Sequence, residues 1–302
     1  EKNIMHLISL EEQQELLLAL TAEKLSVEFA AGGSGANSMI GIAQLGGRTA
    51  FSGKIGRDEH GKIYREKLED LGVSACLAEG EGSTGSSLVL VSDDGCRTMN
   101  TYLGMSQELQ APDIDPEVIE ASKYLYLTGY LWDTDSQKKA VRTSLDVAKR
   151  VETKVALSLS DPFCVTRHKE DFKSLLQGYV SMVFSNQEEA FTLLDTNVTQ
   201  EAVDIMSKWT ETVVLTLGAN GAIISHLGQT YYIDPLPIRV EDTTGAGDAF
   251  AAGFLFGMTH EFSPLESGRI GAALAGAVIE QTGSRFQGHA HSLINEKLGI
   301  RL

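Results

Sequence analysis

The feature that most constrains this chain is a regular alternation, after Pro112 and Pro116, of short apolar runs with longer segments of helical spacing. Strands are predicted at 123–127, 154–159, 180–184 and 212–217, and helices at 135–150, 169–176, 187–194 and 201–209. The run 212–217 is almost continuously apolar, as suits a strand covered on both faces. Repeated strand–helix–strand units predict an α/β fold built on a mainly parallel sheet. Further strands are predicted at 222–225 and 231–233, and helices at 248–258 and 264–281. The last is full of Gly and Ala, which serves either tight helix packing or the close approach of a ligand.

The first third breaks this order. A helix is predicted at 11–20 behind Ser9, a strand at 25–29, then the segment Gly32-Gly33-Ser34-Gly35-Ala36-Asn37 leading into a helix at 38–45 that stops at Gly46-Gly47. A strand at 49–55 and a helix at 58–71, ended by Gly72, form one strand-to-helix unit. Two strand-like runs, 86–91 and 97–102, then meet through Asp93-Asp94-Gly95, a hairpin signal. An antiparallel hairpin does not join a parallel sheet easily, so it is expected beside that sheet, as a flap or edge, together with the N-terminal strands. Gly53-Lys54 does not complete a Walker A loop, because Gly47 lies one residue too far upstream and Ile55 stands where Ser or Thr should bind magnesium.

Composition excludes several function classes. A hydrophobic content of 42 % with 22 % charged residues is that of a globular protein, and no apolar run reaches the ~18 residues of a membrane helix. With no basic segment leading into an apolar stretch at the start, a cytoplasmic location is expected. Cys76, Cys96 and Cys164 form no C-x-x-C pair, against a disulfide framework or a thiolate zinc site. The 302 residues are read as one large domain with an appendage. A net charge of −16 repels nucleic acid, so neither nucleic acid nor membrane is an expected partner, and an anionic ligand needs a local device to hold it.

Such a device stands at Asp242-Thr243-Thr244-Gly245-Ala246-Gly247-Asp248-Ala249-Phe250. Two close glycines free the backbone to turn its N–H groups inward, and an apolar helical run starts at once, so anions are expected at a helix N-terminus. Asp248 in this nest either caps the helix or holds a proton acceptor beside an anion. In an open parallel sheet, ligands sit beyond the carboxyl ends of the strands, where Gly129, Asp161, Asn186, Gly218 and the 242–248 turn would fall. Asn186 and Glu189, three apart at a helix start, are either an N-cap with its capping-box glutamate or a magnesium site.

Four motifs that follow one another in the order expected, Gly32 to Asn37, Asn186-Gln187-Glu188-Glu189, Thr216-Leu217-Gly218-Ala219-Asn220-Gly221 and the 242–248 turn, resemble the ribokinase-like (PfkB) family of sugar and nucleoside kinases over nearly the whole chain. Thr101-Tyr102-Leu103-Gly104-Met105-Ser106, Tyr130-Leu131-Trp132-Asp133 and Ser160-Asp161-Pro162-Phe163 are most similar to its bacterial adenosine-kinase-like members. The resemblance implies a three-layer sandwich with a small β lid, drawn from about 1–31 and 83–106, over the acceptor site. It implies ATP and Mg²⁺ as cofactors and a small sugar or nucleoside as substrate, in a monomer or homodimer. Asp248 would then be the general base, Gly245, Ala246 and Gly247 the anion hole, and Gly33 and Asn37 the acceptor contacts. Asn186 and Glu189 would organise Mg²⁺, while Asn186, Thr216, Gly218 and Gly221 would face the nucleotide. Asp242 and Thr244 match positions where many members bind a monovalent cation such as K⁺. Family members also begin with a core strand bearing an early Asp. Here the given sequence starts at Glu1 within the lid region, so a strand position in mid-sheet is expected to lack its usual occupant. Two other readings remain: a non-catalytic nucleotide or sugar sensor on the same fold, and a dinucleotide-dependent oxidoreductase, opposed by the lack of a placed G-x-G-x-x-G.

Overall fold

The computed structural model describes residues 5–25, 27–91 and 97–301. In chain order the first elements are β1 (Met5–Leu7), α1 (Leu10–Ala22), α2 (Ser34–Gln44), β2 (Thr49–Gly56), α3 (Glu59–Asp70), β3 (Val73–Gly80), β4 (Ser86–Val91) and β5 (Arg97–Tyr102). The alternating part follows with α4 (Pro116–Glu120), β6 (Tyr124–Thr128), α5 (Asp135–Arg150), β7 (Lys154–Ser158), α6 (Pro162–Gly178), β8 (Met182–Asn186), α7 (Gln187–Leu194), α8 (Thr199–Met206) and β9 (Thr212–Thr216). It closes with β10 (Ala222–His226), β11 (Gln229–Ile233), α9 (Ala246–Thr259), α10 (Pro264–Ile279) and α11 (Ala290–Leu298).

The period-2 geometry of strands explains the layering. In the six-stranded sheet, ordered β11-β10-β9-β8-β7-β6, strands β6 to β9 run parallel, and β10 is antiparallel to both its neighbours. Val155, Leu157, Val183, Val213, Leu215 and Ile223 face one core, shared with Val141 and Leu145 of α5, Phe172 of α6 and Val203 of α8. Their neighbours Ala156, Met182, Phe184, Val214, Ala222 and Ile224 face a second core, shared with Phe250 and Phe254 of α9 and Leu274 of α10. Each such large side chain contributes roughly 1.5–3 kcal/mol on burial, which is why both faces must be covered. The expected α/β sandwich with a mostly parallel sheet is therefore what the chain forms. A Cβ on Gly253 of α9 would stand 2.7 Å from the Cα of Gly271 in α10, so at this contact the small residues serve helix packing.

Two smaller sheets lie apart. One has the order β1-β5-β4, with β1 parallel and β4 antiparallel to β5; α1 is tied to it by Gln13, whose Nε2 donates to Ser86 O at 3.1 Å and whose Oε1 accepts from Ser86 Oγ at 2.8 Å. The other is the parallel pair β2–β3. Among the described residues, β6 ends the six-stranded sheet and β2 pairs with β3 alone. The Asp93-Asp94-Gly95 turn and Cys96 lie outside the described residues, and Cys76 and Cys164 are free thiols. Among the described residues no helix is long and apolar enough to cross a membrane.

Some expectations are corrected. Leu25 and residues 27–29 form no strand, because among the described residues no neighbouring strand supplies a ladder; Leu25 and Phe29 stay exposed, Phe29 lying against the ring of His60. Helix α2 starts at Ser34, four residues before the predicted 38, since Asn37 N–H already donates to Gly33 O at 2.9 Å. Helix α6 starts at Pro162 with Asp161 as its cap and is kinked at His168, where only the second half shows a clear apolar period. Strand β3 and helix α11 have no counterpart in the sequence reading.

Candidate active site

Two helix starts frame the site. Gly245, at φ +79°, is the N-cap of α9 and bonds no side chain; a Cβ there would come within 2.2 Å of Ser284 O, so the turn demands glycine. Gly247 follows with open space around it, and with Asp248 it belongs to the first turn, whose N–H groups have no acceptor within the helix. Ala246 N–H is partly engaged, donating to Thr243 O at 3.2 Å.

Asp248 does not cap α9. Its Oδ1 accepts from Ser34 Oγ at 2.6 Å and its Oδ2 from Asn37 Nδ2 at 3.1 Å, both on α2, whose first turn is brought alongside by the packing of α2 on α9. Burial pushes its carboxyl above the usual range, and the bonds from Ser34 and Asn37 partly offset that rise. Ser38 adds a third tie from α2, donating to Asp248 O at 3.3 Å. Asn37 Oδ1 is buried without a partner, so the acceptor end of this amide is left for something else. Gly33, at φ +96° with nothing near a would-be Cβ, borders the same helix start.

The second group lies at the carboxyl ends of β8 and β9, where Asn186 and Thr216 are register partners. Asn186 caps α7: its Oδ1 accepts from Glu189 N at 2.8 Å, while Glu189 Oε2 accepts from Asn186 N at 3.0 Å and Oε1 from Asn186 Nδ2 at 2.7 Å. The capping box is thus present. Glu189 is only 5 % exposed, and burial, followed by the charges of Asp161 and Glu188, pushes it up to about 7 despite the bond from Asn186. Among the described residues no three His, Cys, Asp or Glu side chains gather as a metal site, so a divalent cation beside this buried carboxylate would be held largely through water. Gly218 opens a single 3-10 turn with free space beside it, whereas Gly221 is needed because a Cβ would meet Ile233 O at 2.0 Å.

Tyr130, 41 % exposed, has its phenol held above its usual range by the desolvation of its partly covered ring and then by the charges of Asp161, Asp248 and Glu189. Tyr126 on β6, bonded by Ser38 at 3.5 Å, feels Asp248 and Glu189 in the same way. Asp242, expected with Thr244 at a monovalent-cation site, has its carboxylate engaged by protein groups. Asp242 Oδ1 accepts from Thr244 N at 3.0 Å, and Oδ2 accepts from Gly283 N at 3.0 Å and pairs with Arg97 Nη1 at 2.9 Å. Ser34, Tyr126, Tyr130 and Arg97 were not singled out as site residues in the sequence. Ser34 was within reach of it, being i, i+3 to Asn37 once the helix is started at the right residue.

Residues 2–289 match the pfkB family carbohydrate kinase model. A probable sugar kinase from Rhizobium etli superposes with a TM-score of 0.88 at 35 % identity, covering 98 % of this chain and 90 % of that one. The adenosine kinase of Sinorhizobium meliloti does so with a TM-score of 0.87 at 34 % identity and the same coverage. A 5-dehydro-2-deoxygluconokinase from Geobacillus kaustophilus is 28 % identical over 82 % of this chain and 78 % of its own.

Proposed function

The chain belongs to the pfkB family of carbohydrate kinases, and from that premise we propose that it moves the γ-phosphoryl group of ATP to a hydroxyl of a nucleoside of the adenosine class or of a related sugar. The observation that carries this reading is the carboxylate of Asp248, placed in the first turn of α9 yet bonded across to Ser34 and Asn37 of α2. A base so held faces both a helix N-terminus that attracts phosphate and an adjoining helix start that can receive an acceptor.

In this proposal Gly33 and the free Oδ1 of Asn37 orient the acceptor, and Asp248 takes the proton from its hydroxyl. The N–H groups of Gly245, Ala246 and Gly247 stabilise charge on the transferred group, which needs no Walker lysine when placement and preorganised donors do the work. Asn186 and Glu189 would hold Mg²⁺, which when bound neutralises charge on the nucleotide phosphates. Thr216, Gly218 and Gly221 line the nucleotide side. The β1-β5-β4 sheet acts as the lid that keeps water from competing for the phosphoryl group.

ADP release measured over a panel of nucleosides and sugars tests the reading. Turnover with at least one acceptor, lost in Asp248→Asn, is expected; ATP binding without turnover on any of them would favour the sensor instead. Hydrogen exchange at β4 and β5 is expected to slow on addition of acceptor, whereas protection that follows protein concentration alone would make this sheet an interface.

A further inference from the structure

Asp242 opens the turn that carries Asp248, and the sequence resemblance implies that many related kinases hold a monovalent cation at this position. In this chain the carboxylate is already neutralised. Arg97, the first residue of β5, reaches from the separate three-stranded sheet and sets Nη1 2.9 Å from Asp242 Oδ2. The same carboxylate also accepts from Thr244 N–H and Gly283 N–H, both at 3.0 Å. The pair is secluded, with side-chain exposures of 18 % for Arg97 and 12 % for Asp242. Among the described residues Arg97 Nε is buried without a hydrogen-bond partner, so the guanidinium sits beside this carboxylate with one donor unmet.

We infer that the Arg97 guanidinium is the resident cation of the 242–248 turn, so that the protein needs no K⁺ or other monovalent ion at Asp242. A guanidinium stays protonated at any physiological pH, carries the same single charge as K⁺ and is tethered, so it does not wash out at low salt. A second cation on the same carboxylate would face the repulsion of the first in a poorly solvated spot. The tether has a second consequence: the charge that steadies the anion-binding turn comes from the sheet proposed as the lid. The inference leans on the kinase reading for the use of the turn, but the ion pair itself stands without it.

The test compares the full chain with Arg97→Gln and Arg97→Lys in KCl and in tetramethylammonium chloride at equal ionic strength. The first readout is the thermal unfolding midpoint without substrates. The wild type and Arg97→Lys are expected to be indifferent to the cation, within about 1 °C, while Arg97→Gln gains about 2 °C or more in KCl, as a newly opened ion site should. The second readout is ADP release. The wild type should change by less than about twofold between the salts, and Arg97→Gln should recover about fivefold or more in KCl, the lower range of ordinary ligand coupling. A wild type that itself needs K⁺ by either readout overturns the inference, as does an Arg97→Gln chain that folds and gains nothing from K⁺. Should Arg97→Gln not fold, the wild type and Arg97→Lys still decide it. Absence of ADP release with every acceptor would count against the kinase reading, while the unfolding midpoints would still judge the cation.

Discussion

Helices α7 and α9 begin alike in sequence, each with a carboxylate at its third position, and use it in opposite ways. At α7 the Glu189 carboxylate turns back to Asn186, and the amide of Asn186 bonds the Glu189 N–H, so the helix start is satisfied by its own residues. At α9 the cap is Gly245, which has no side chain to offer, and the Asp248 carboxylate turns outward to Ser34 and Asn37. Burial raises both carboxyls. A helix start closed on itself is a structural joint. One left open, with its carboxylate lent to another helix, keeps N–H groups for an anion and a base beside them.

The largest expected break of this contrast is Asp248→Asn. Turnover should fall by roughly 10² or more, the ordinary loss for a general base, in steady-state ADP release. Stability should not follow. A carboxyl raised by folding contributes stability in full only below its unfolded value, near 3.9, and loses it as pH rises through the folded one, so at neutral pH the ionised form is the less favoured partner. The unfolding midpoint of Asp248→Asn at pH 7 is therefore expected at or above that of the wild type. A large fall would make Asp248 a structural residue.

Next in size is Gly245→Ala. It forces a side chain into left-handed backbone, about 1–2 kcal/mol, and onto Ser284 O, so a lower urea midpoint and at least about tenfold weaker turnover are expected. Asn186→Ala at the other helix start loses an ordinary cap, about 1 kcal/mol, with no backbone strain, since Asn186 sits at φ −88°. Equal losses of stability at the two sites would erase the contrast.

Glu189→Gln should act mainly on metal. The amide oxygen still accepts from Asn186 N–H but the bond from Asn186 Nδ2 is lost, so stability should fall by about 1 kcal/mol, while the Mg²⁺ concentration for half-maximal rate rises severalfold. An unchanged metal titration would leave Glu189 with the capping box alone. The smallest effect is on pH. With Glu189 at about 7 in the fold and near 4.3 unfolded, its stabilising share is present at low pH and lost as pH rises through about 7. Between about pH 5 and pH 8 the metal-free wild type should lose more of its midpoint than Glu189→Gln, and a parallel decline would remove the role assigned to burial there.

Much of the fold was legible because its signals are local. The strand at 212–217 needed only its apolar run, and the helical spacing of 135–150 matches α5, whose ends the structure marks with the Thr134 capping box and the basic Lys149 and Arg150. The hairpin strands were found at their observed bounds, 86–91 and 97–102. Where a signal is not local, reading failed. Residues 25–29 have strand composition, but a strand exists only where a neighbour completes its ladder, and among the described residues none does so for Leu25 or 27–29. At the site, Asn37 and Asp248 were named from motif alone, 211 residues apart, while the third member Ser34 was hidden by a helix start placed four residues late.

The sequence by itself determined the layers and the two helix starts, because apolar period, capping residues and glycine φ are properties of a few adjacent positions. It also left two questions open at once, whether Asp248 and Glu189 cap their helices or serve chemistry. Only the tertiary structure decided where these side chains turn: Glu189 to its own cap, Asp248 to α2, and Asp242 to Arg97 on another sheet. A side chain settles on whichever donors the packing brings within hydrogen-bond reach. Donors more than 100 residues away are set by how α2, α9 and the small sheet dock, a choice made by the two cores and not by any local pattern.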